Sequence, residues 1–586
     1  MTESTQRPWW QDALVYQLYI RSFADANGDG VGDIAGIRAR LDHIASLGVD
    51  AIWLNPCYPS PQHDHGYDVA NYFDIHEEYG TLDDFDALLE QARGRGIKIL
   101  MDLVPGHCSN EHRWFTAART AAPGSPERAR FYFRDGKGDD GSEPPNNWQS
   151  AFGGPAWTRI NQDVNDGQWY MHTFAREQPD LNHTNADVAE LFASIFEFWL
   201  DRGVEGFRVD AVAGVGKHPD LPDQPAVGPD AGPLDITWLN PYLAFRPEGH
   251  EVWRRFRASV DAYAQQHRDR EVVMVAEAYA IRRPEIARAF TEPDQFHQVF
   301  SFDLMMTPWE KGSIEQAMHD PLTILDETGV APAWTLNNHD IQRVVTRLGR
   351  SDAHLPESWT NNNLSLSRAE VDTVLGERRA RALAGLIFAL PGSLYLYQGE
   401  ELGLPEVFDI PDDRREDPVF ERSGGVEIGR DGCRVPLPWN NDVSSSYGFS
   451  TTREDGTVEE PWLPQPSGWG DHCVEILDGI ESSTLNIYRK LGEARTEHVI
   501  NQPLSANLVD FGPGLVGVRR GDLQVVVNVT MQPIDLDMKH PELMGSDLVF
   551  ASEPQETQTP GLAPPNSTMW FVRRPQDSNT NAAGVN

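Results

Sequence analysis

Three acidic residues close three β-rich runs: Asp210 ends "GFRVD", Glu277 ends "VVMVAE" and Asp340 ends "TLNNHD". Side chains alternate along a strand, so Arg208 and Asp210 share one face while Phe207 and Val209 share the other. A guanidinium beside a carboxylate favours the ionised form, which a nucleophile needs. Glu277, meeting two neighbouring anions, is expected to be held protonated and to serve as an acid. One carboxylate that attacks an anomeric carbon while another protonates the departing oxygen is the division of labour in retaining glycoside hydrolysis. It requires the two carboxyls to lie about 5–5.5 Å apart. A single strand-end acid is more often a helix cap or an ion-pair partner. Three of them, with histidines in the neighbouring loops, favour a site.

A second cluster lies near the start, in "DANGDGVGDIAGI" (Asp25 to Ile37). Oxygen-bearing side chains fall at positions one, three, five and nine with Gly30 at six, the spacing of a calcium-sensor loop. Position twelve, where such a loop carries a bidentate Glu, is Gly36, which argues against an opening switch.

The elements that must position these groups alternate. Strands are expected at Leu14–Ile20, Val49–Asn55, Ile97–Val104, Val204–Asp210, Val272–Glu277, Gln298–Leu304, Pro332–Asn338 and Ser393–Gly399, with amphipathic stretches such as "ADVAELFASIFEFWLDRG" between them. Eight β-α units in succession predict an α/β fold, a (β/α)₈ TIM barrel with catalytic groups at the C-terminal ends of its strands. The chain departs from a bare barrel twice. A loop-rich segment, 108–185, follows the third strand, and stretches of that length are usually functional. After "STLNIYRKLGEAR" come short strands that read as a C-terminal β-sandwich over 502–575, then a tail, 576–586, expected to be disordered. The barrel itself would comprise 1–107 and 186–501.

Bulk properties narrow the partners. A chain of 586 residues exceeds a single compact core. Its net charge of −40 argues against nucleic acids and anionic membranes. The four cysteines (Cys57, Cys108, Cys433, Cys473) are scattered without a CxxC pair, which fits a reducing compartment and offers no zinc knuckle. "MTESTQRPWWQDALVYQ" has no basic segment followed by an apolar stretch, and "ALAGLIFAL" is too short to span a bilayer. A cytoplasmic protein, monomer or homodimer, is the expectation. Other signals dissolve on inspection: "GPGLVG" lies among late strands and opens no helix, no GxSxG occurs, and "HDH" (His63–His65) lies at the pocket mouth rather than on a metal.

Taken together, "GFRVDAV", "MVAEAY", "LNNHD", "DLVPGH" and "QPDLN" resemble the α-amylase family, glycoside hydrolase family 13; the last of these resembles its oligo-1,6-glucosidase and α-glucosidase branch. "RPEGHEVWRRFR" and "GRDGCRVPLPW" strengthen that placement. The resemblance implies Asp210 as nucleophile, Glu277 as acid/base and Asp340 as the carboxylate that fixes the distorted sugar. It further implies that Asp68, His107, Arg208 and His339 grip the terminal glucose, that Phe152 and Phe174 wall the pocket, and that Arg414 closes it from the eighth loop. It also assigns the Asp25 loop a structural Ca²⁺ or Mg²⁺ ion, held by Asp25, Asn27, Asp29 and Asp33 with the Val31 carbonyl. The first region reads Gly106-His107 where the family usually has Asn-His, so the second calcium of secreted amylases is not expected. In this branch Val after the nucleophile goes with α-1,6 cleavage and Thr or Ala with α-1,4; here it is Ala211, which favours maltose-like substrates. The expected activity is that of an exo-acting retaining α-glucosidase with some glucosyl transfer to sugar or alcohol acceptors. The alternatives are an oligo-1,6-glucosidase, a glucosyl-moving isomerase of the sucrose isomerase or trehalose synthase type, and an inactive relative of the transporter heavy chains. The "RLDRD" signature of sucrose isomerases is missing, and neither a membrane anchor nor lost acids mark the chain as inactive.

Overall fold

The computed structural model describes residues 7–160, 167–228, 237–267, 270–355, 370–453, 455–536, 540, 543, 545–553 and 561–574. The expected tail, 576–586, lies outside them. In chain order the strands begin with β1 (Leu14–Leu18), β2 (Ala51–Leu54) and β3 (Lys98–Leu103), followed in the insertion by β4 (Phe133–Asp135), β5 (Trp157–Arg159) and β6 (Gln168–Met171). The barrel resumes with β7 (Gly206–Val209), β8 (Val273–Ala276), β9 (Gln298–Ser301), β10 (Ala333–Thr335) and β11 (Ser393–Tyr397). β1, β2, β3 and β7 to β11 close into one parallel barrel in sequential order. Each expected strand is present but shorter at its C-terminal end, where the chain turns into the loops of the catalytic face. "GFRVD" stops at Val209 because Ala211 takes a left-handed conformation (φ 44°).

The connecting helices stand on the local signals the sequence carries. The helix Leu82–Arg93 opens on a capping box between Thr81 and Asp84, and Ala186–Arg202 runs from an Asn185 cap to a left-handed Gly203. The insertion forms a small antiparallel sheet, β4-β6-β5, over its own apolar cluster of Tyr132, Trp148, Ala156, Trp157 and Met171. That cluster also takes in Leu221 and Leu243 from the segment after β7, so the insertion shares its core with the loop that follows Asp210.

At the C-terminal end β12 (Asn507–Leu508), β13 (Leu515–Arg520), β14 (Leu523–Asn528), β15 (Ile534–Asp535), β16 (Ser546–Ala551), β17 (Leu562–Ala563) and β18 (Ser567–Arg573) form a five-stranded sheet and a two-stranded one. Phe511, Val526, Leu536, Met569 and Phe571 belong to their shared core. The larger sheet docks on the barrel helix Thr373–Ile387, where Thr568 and Trp570 donate to the Ala382 and Gly385 carbonyls (2.5 and 2.7 Å). Gly385 makes that approach possible, since a Cβ there would sit 3.0 Å from Thr568. All four cysteines are buried and free.

Candidate active site

Strand register assembles the centre. Asp102 pairs with Arg208 across β3 and β7, and Val209 pairs with Ala276 across β7 and β8, so the next residues along, Asp210 and Glu277, emerge side by side. Adjacent strands lie about 4.8 Å apart. The Arg208 guanidinium is the common partner, bonding Asp102 (2.9 Å), Asp210 (2.7 Å) and Glu277 (3.3 Å) while lying over the Trp53 ring. The left-handed turn at Ala211 aims its amide at Glu277 Oε2 (2.7 Å), which ties the acid to the residue after Asp210. Asp340 accepts from Arg430 and Arg434, both at 3.0 Å, and His339 Nε2 lies 3.4 Å away.

The charges follow from burial and from this sharing. Burial pushes the Asp210 carboxyl well above the usual carboxylate range, and Glu277, Asp102 and Asp340 add to the rise against the pull of Arg208. Glu277 is raised as well, by burial first and then by Asp340 and Asp102. Arg208 still favours the ionised form of Asp210, but its charge is shared: one guanidinium spread over three carboxylates cannot neutralise each, and the acids titrate as a set. Asp340 behaves differently. Burial would raise it, but His339, Arg430 and Arg434 outweigh that and hold it well below the usual range. Since burial also keeps His339 neutral, the two guanidiniums do most of this work.

Asp210, Glu277, His339, Asp340 and Arg430 line one cavity of about 240 Å³, whereas Arg208, expected to grip the sugar, is buried and outside its lining. Asp210, Ala211, Glu277, His339 and Asp340 form its base with His107, and Phe152 and Phe174 form a wall, their rings 5.4 Å apart. The rim comes from Trp238 after β7 and from Val419, Ser423 and Glu427 in the loop after β11. Arg422 of that loop donates to the Gly153 carbonyl (2.6 Å), latching it to the insertion and walling the pocket on that side.

Two expected pocket residues are displaced by others. Asp68 is fully buried and does not line the cavity; its carboxylate accepts from Ser60 Oγ (2.8 Å) and from the His63 and Asp64 amides (2.9 and 3.1 Å), so it folds the loop. Asp64 lines the pocket instead, bonded to Gln178 (3.0 Å) and Arg430 (2.9 Å). Arg414 is likewise outside, at the end of a short 3₁₀ turn (Asp412–Arg414), where it pairs with the exposed Glu460 (3.0 Å). Arg430 fills the role, held by Asp417 (2.7 Å), reaching Asp64 and Asp340, and lying over the Phe152 ring. Asp64 lies within the quoted "HDH" and Arg430 within "GRDGCRVPLPW", and the signal that marks them is a charged side chain inside a quoted motif. Tyr67 and Tyr279, further lining residues, carried no such signal.

The "QPDLN" stretch acts as a brace. Gln178 holds Asp64, and Asp180 accepts from Thr173 Oγ1 (2.6 Å) and pairs with Lys217 (3.0 Å). The buried Lys217 ammonium also donates to the Gly214 carbonyl (3.0 Å) and lies over Tyr132, so a tethered cation joins the insertion to the loop after β7.

In the Asp25 loop the side chains turn back on their own backbone. Asp25 accepts from the Asn27, Gly28 and Gly30 amides, Asn27 from Asp29, Asp29 from Val31, and Asp33 from Ala26 and Gly36. Burial, with the Asp25 charge adding to it, pushes the Asp33 carboxyl up to about 6. Among the described residues no three His, Cys, Asp or Glu side chains converge as a metal cluster. The donor set, which is all oxygen with an amide and a carbonyl among the carboxylates, is of the kind hard divalent cations take.

The sequence profile of the alpha amylase catalytic domain matches residues 17–502. A probable alpha-glucosidase of Rhizobium meliloti (strain 1021) is 35% identical over 498 residues, which cover 83% of this chain and 82% of that protein. An oligo-1,6-glucosidase of Parageobacillus thermoglucosidasius is 34% identical over 526 residues, covering 84% and 85%. Among solved structures, the alpha-glucosyl transfer enzyme XgtA superposes with a TM-score of 0.78 at 31% identity, over 97% of this chain and all of that one.

Proposed function

This chain belongs to the α-amylase family, glycoside hydrolase family 13, in its α-glucosidase and oligo-1,6-glucosidase branch, and from that premise we propose that it is an exo-acting, retaining α-glucosidase. The observation that carries the reading is the pairing of Asp210 and Glu277 on neighbouring strands around one guanidinium. The spacing of adjacent strands, about 4.8 Å, is close to the roughly 5–5.5 Å that a nucleophile and an acid/base need on opposite sides of a glycosidic bond. In this mechanism Asp210 attacks the anomeric carbon from the side where Arg208 holds it. Glu277 carries the proton of the set, gives it to the leaving oxygen, and then withdraws one from water. Asp340, Asp64 and His339 hold the hydroxyls of the distorted ring, and Phe152 and Phe174 take its apolar face.

The small cavity and the Arg422 latch support removal of a single glucose from a chain end. Ala211 in the pocket lining, with its small side chain, supports α-1,4-linked substrates such as maltose, a preference of about 1–3 kcal/mol. An acceptor entering by the same rim in place of water would give glucosyl transfer. The Asp25 loop is proposed to hold a structural divalent cation through Asp25, Asn27, Asp29, Asp33 and the Val31 carbonyl, whose charge would relieve the repulsion between the buried acids. Proton NMR of reactions with maltose, isomaltose, sucrose and trehalose tests the reading. It requires α-glucose as the first anomer released from maltose and faster turnover of maltose than of isomaltose. β-Glucose would overturn the retaining mechanism, and isomerised disaccharides in place of glucose would favour the isomerase.

A further inference from the structure

Beneath the pocket, four buried polar side chains form a closed ring: Gln17 on β1, Asn55 after β2, Tyr67 and His339. Gln17 Nε2 lies 3.0 Å from Asn55 Oδ1 and 2.8 Å from His339 Nδ1. Asn55 Nδ2 lies 2.9 Å from the Tyr67 oxygen, which is 2.7 Å from His339 Nε2 and 3.0 Å from Asp102 Oδ2.

Donor and acceptor accounting gives this ring one direction. Asp102, held against Arg208, is acceptor-only as a carboxylate, so the Tyr67 hydroxyl spends its one proton there. The phenol oxygen must then accept from both Asn55 and His339, which places a proton on Nε2 of the imidazole. Asn55, with its amino group turned to Tyr67, shows its carbonyl to Gln17. The Gln17 amino group therefore faces the carbonyl, and its second proton points at His339 Nδ1, which must offer a lone pair. One route reaches the ring at Nε2 and asks for N–H; the other reaches it at Nδ1 and asks for an acceptor. They agree.

We propose that Gln17 is a positioning residue that fixes His339 in the neutral Nε2–H tautomer. The inference rests on the reading of His339 as a group that holds a sugar hydroxyl. In that tautomer the Nε2 proton is directed at the Tyr67 oxygen, with the Asp340 carboxylate 3.4 Å from the same nitrogen; in the other, a bare Nε2 would face the lone pairs of both. The charged groups around the imidazole are Asp340, Arg208, Arg430 and Arg434, with Asp102 behind Tyr67, and together with burial they favour the neutral form.

Long-range ¹H–¹⁵N spectra of histidine-labelled protein distinguish the two neutral tautomers and the imidazolium, with the His339 signals identified by their absence in His339→Gln. The wild type should show Nε2–H and a bare Nδ1 from pH 6 to 8. Gln17→Glu, with an acceptor against Nδ1, should move a proton there. Gln17→Met, which has no donor, should release the lock, giving mixed tautomers and a new ionisation in the pH profile of kcat/KM. Both should lower kcat/KM by tenfold or more at neutral pH. A protonated Nδ1 in the wild type, or a His339 signal unchanged in the variants, would overturn the proposal. A wild type with the Nε2–H form but no hydrolysis of α-glucosides would instead sink the functional reading and leave the role of Gln17 standing.

Discussion

Asp64→Asn should cost activity without costing stability. The Asp64 carboxylate lines the pocket with its two oxygens bonded to Arg430 and Gln178. A hydrogen bond from a sugar hydroxyl to a charged group is worth about 1.5–3 kcal/mol. If it is made in the transition state, its loss lowers kcat/KM by about 10- to 150-fold. Stability moves the other way. Burial, against the pull of Arg430, raises the carboxyl from an ordinary value of about 3.9 to about 6. A folded-state pKa above the unfolded one means that the folded protein binds this proton more tightly. The associated stability is complete below about pH 4 and declines as the pH rises through about 6. The ionised side chain thus opposes folding at pH 7 by at most about 3 kcal/mol. Asparagine escapes that cost, while Arg430 keeps Asp340 and Asp417. Denaturant midpoints at pH 4 to 8, with kcat/KM on maltose, measure both effects. The variant should be at least as stable as wild type at pH 7, with a flatter profile between pH 4 and 6. Asp68→Ala should do the reverse, leaving the His63 and Asp64 amides unpaired at about 1–3 kcal/mol each. Full activity in Asp64→Asn, or a loss of stability matching that of Asp68→Ala, would refute the reassignment.

Asp210→Asn should abolish turnover in a protein that melts as wild type does; measurable glucoside hydrolysis would exclude Asp210 as nucleophile. Glu277→Gln should slow maltose by about 10²–10⁴-fold but largely spare the first step on 4-nitrophenyl α-glucoside, whose leaving group needs no proton; equal losses would argue against an acid role. Lys217→Met should destabilise by about 3–5 kcal/mol, because it strands the buried Asp180 carboxylate, and a midpoint unchanged in urea would show the pair to be dispensable. Stripping divalent ions should lower the melting temperature, by an amount equivalent to about 2.7 kcal/mol if the ion stands at a hundred times its Kd; an unchanged melt with no bound metal would remove the Asp25 loop from the list of cation sites.

The barrel was legible because its strands are short apolar runs rich in β-branched or aromatic residues, and because parallel order follows from β-α alternation alone. The strand-end acids were legible for the same reason: a two-residue period fixes which side chains face inward, so Arg208 and Asp210 could be placed before any coordinates. The loops had no such period. Asp64 and Asp68 stand four residues apart in one loop, and only the backbone path, bent by left-handed Gln62 and His65, decides which faces the sugar. Arg414 and Arg430 belong to one long irregular segment, and the choice between them rests on Asp417, a partner whose position no local pattern fixes. Charge sharing was illegible for a different reason. The sequence shows Arg208 beside Asp210, but the competing claims of Asp102 and Glu277 come from neighbouring strands and exist only once the barrel has closed.

That sharing has a consequence for the chemistry. Around the pocket Asp64, Asp102, Asp210, Glu277, Asp340 and Asp417 are set against three guanidiniums, Arg208, Arg430 and Arg434. The two arginines of the last barrel loop are engaged with Asp64, Asp340 and Asp417, which leaves Arg208 to hold three acids. An excess of buried negative charge is costly in the resting site, and the least expensive relief is to keep a proton on the acid with the weaker claim on Arg208, at 3.3 Å rather than 2.7 Å: Glu277. The same excess favours the positive charge that develops at the anomeric carbon as the bond breaks. The surplus of carboxylates therefore both loads the acid and attracts the transition state. Replacing Asp102 by Asn should weaken both effects at once, lowering kcat and shifting the alkaline limb of its pH profile, set by loss of the Glu277 proton, to lower pH, where a purely structural role would lower activity evenly at every pH.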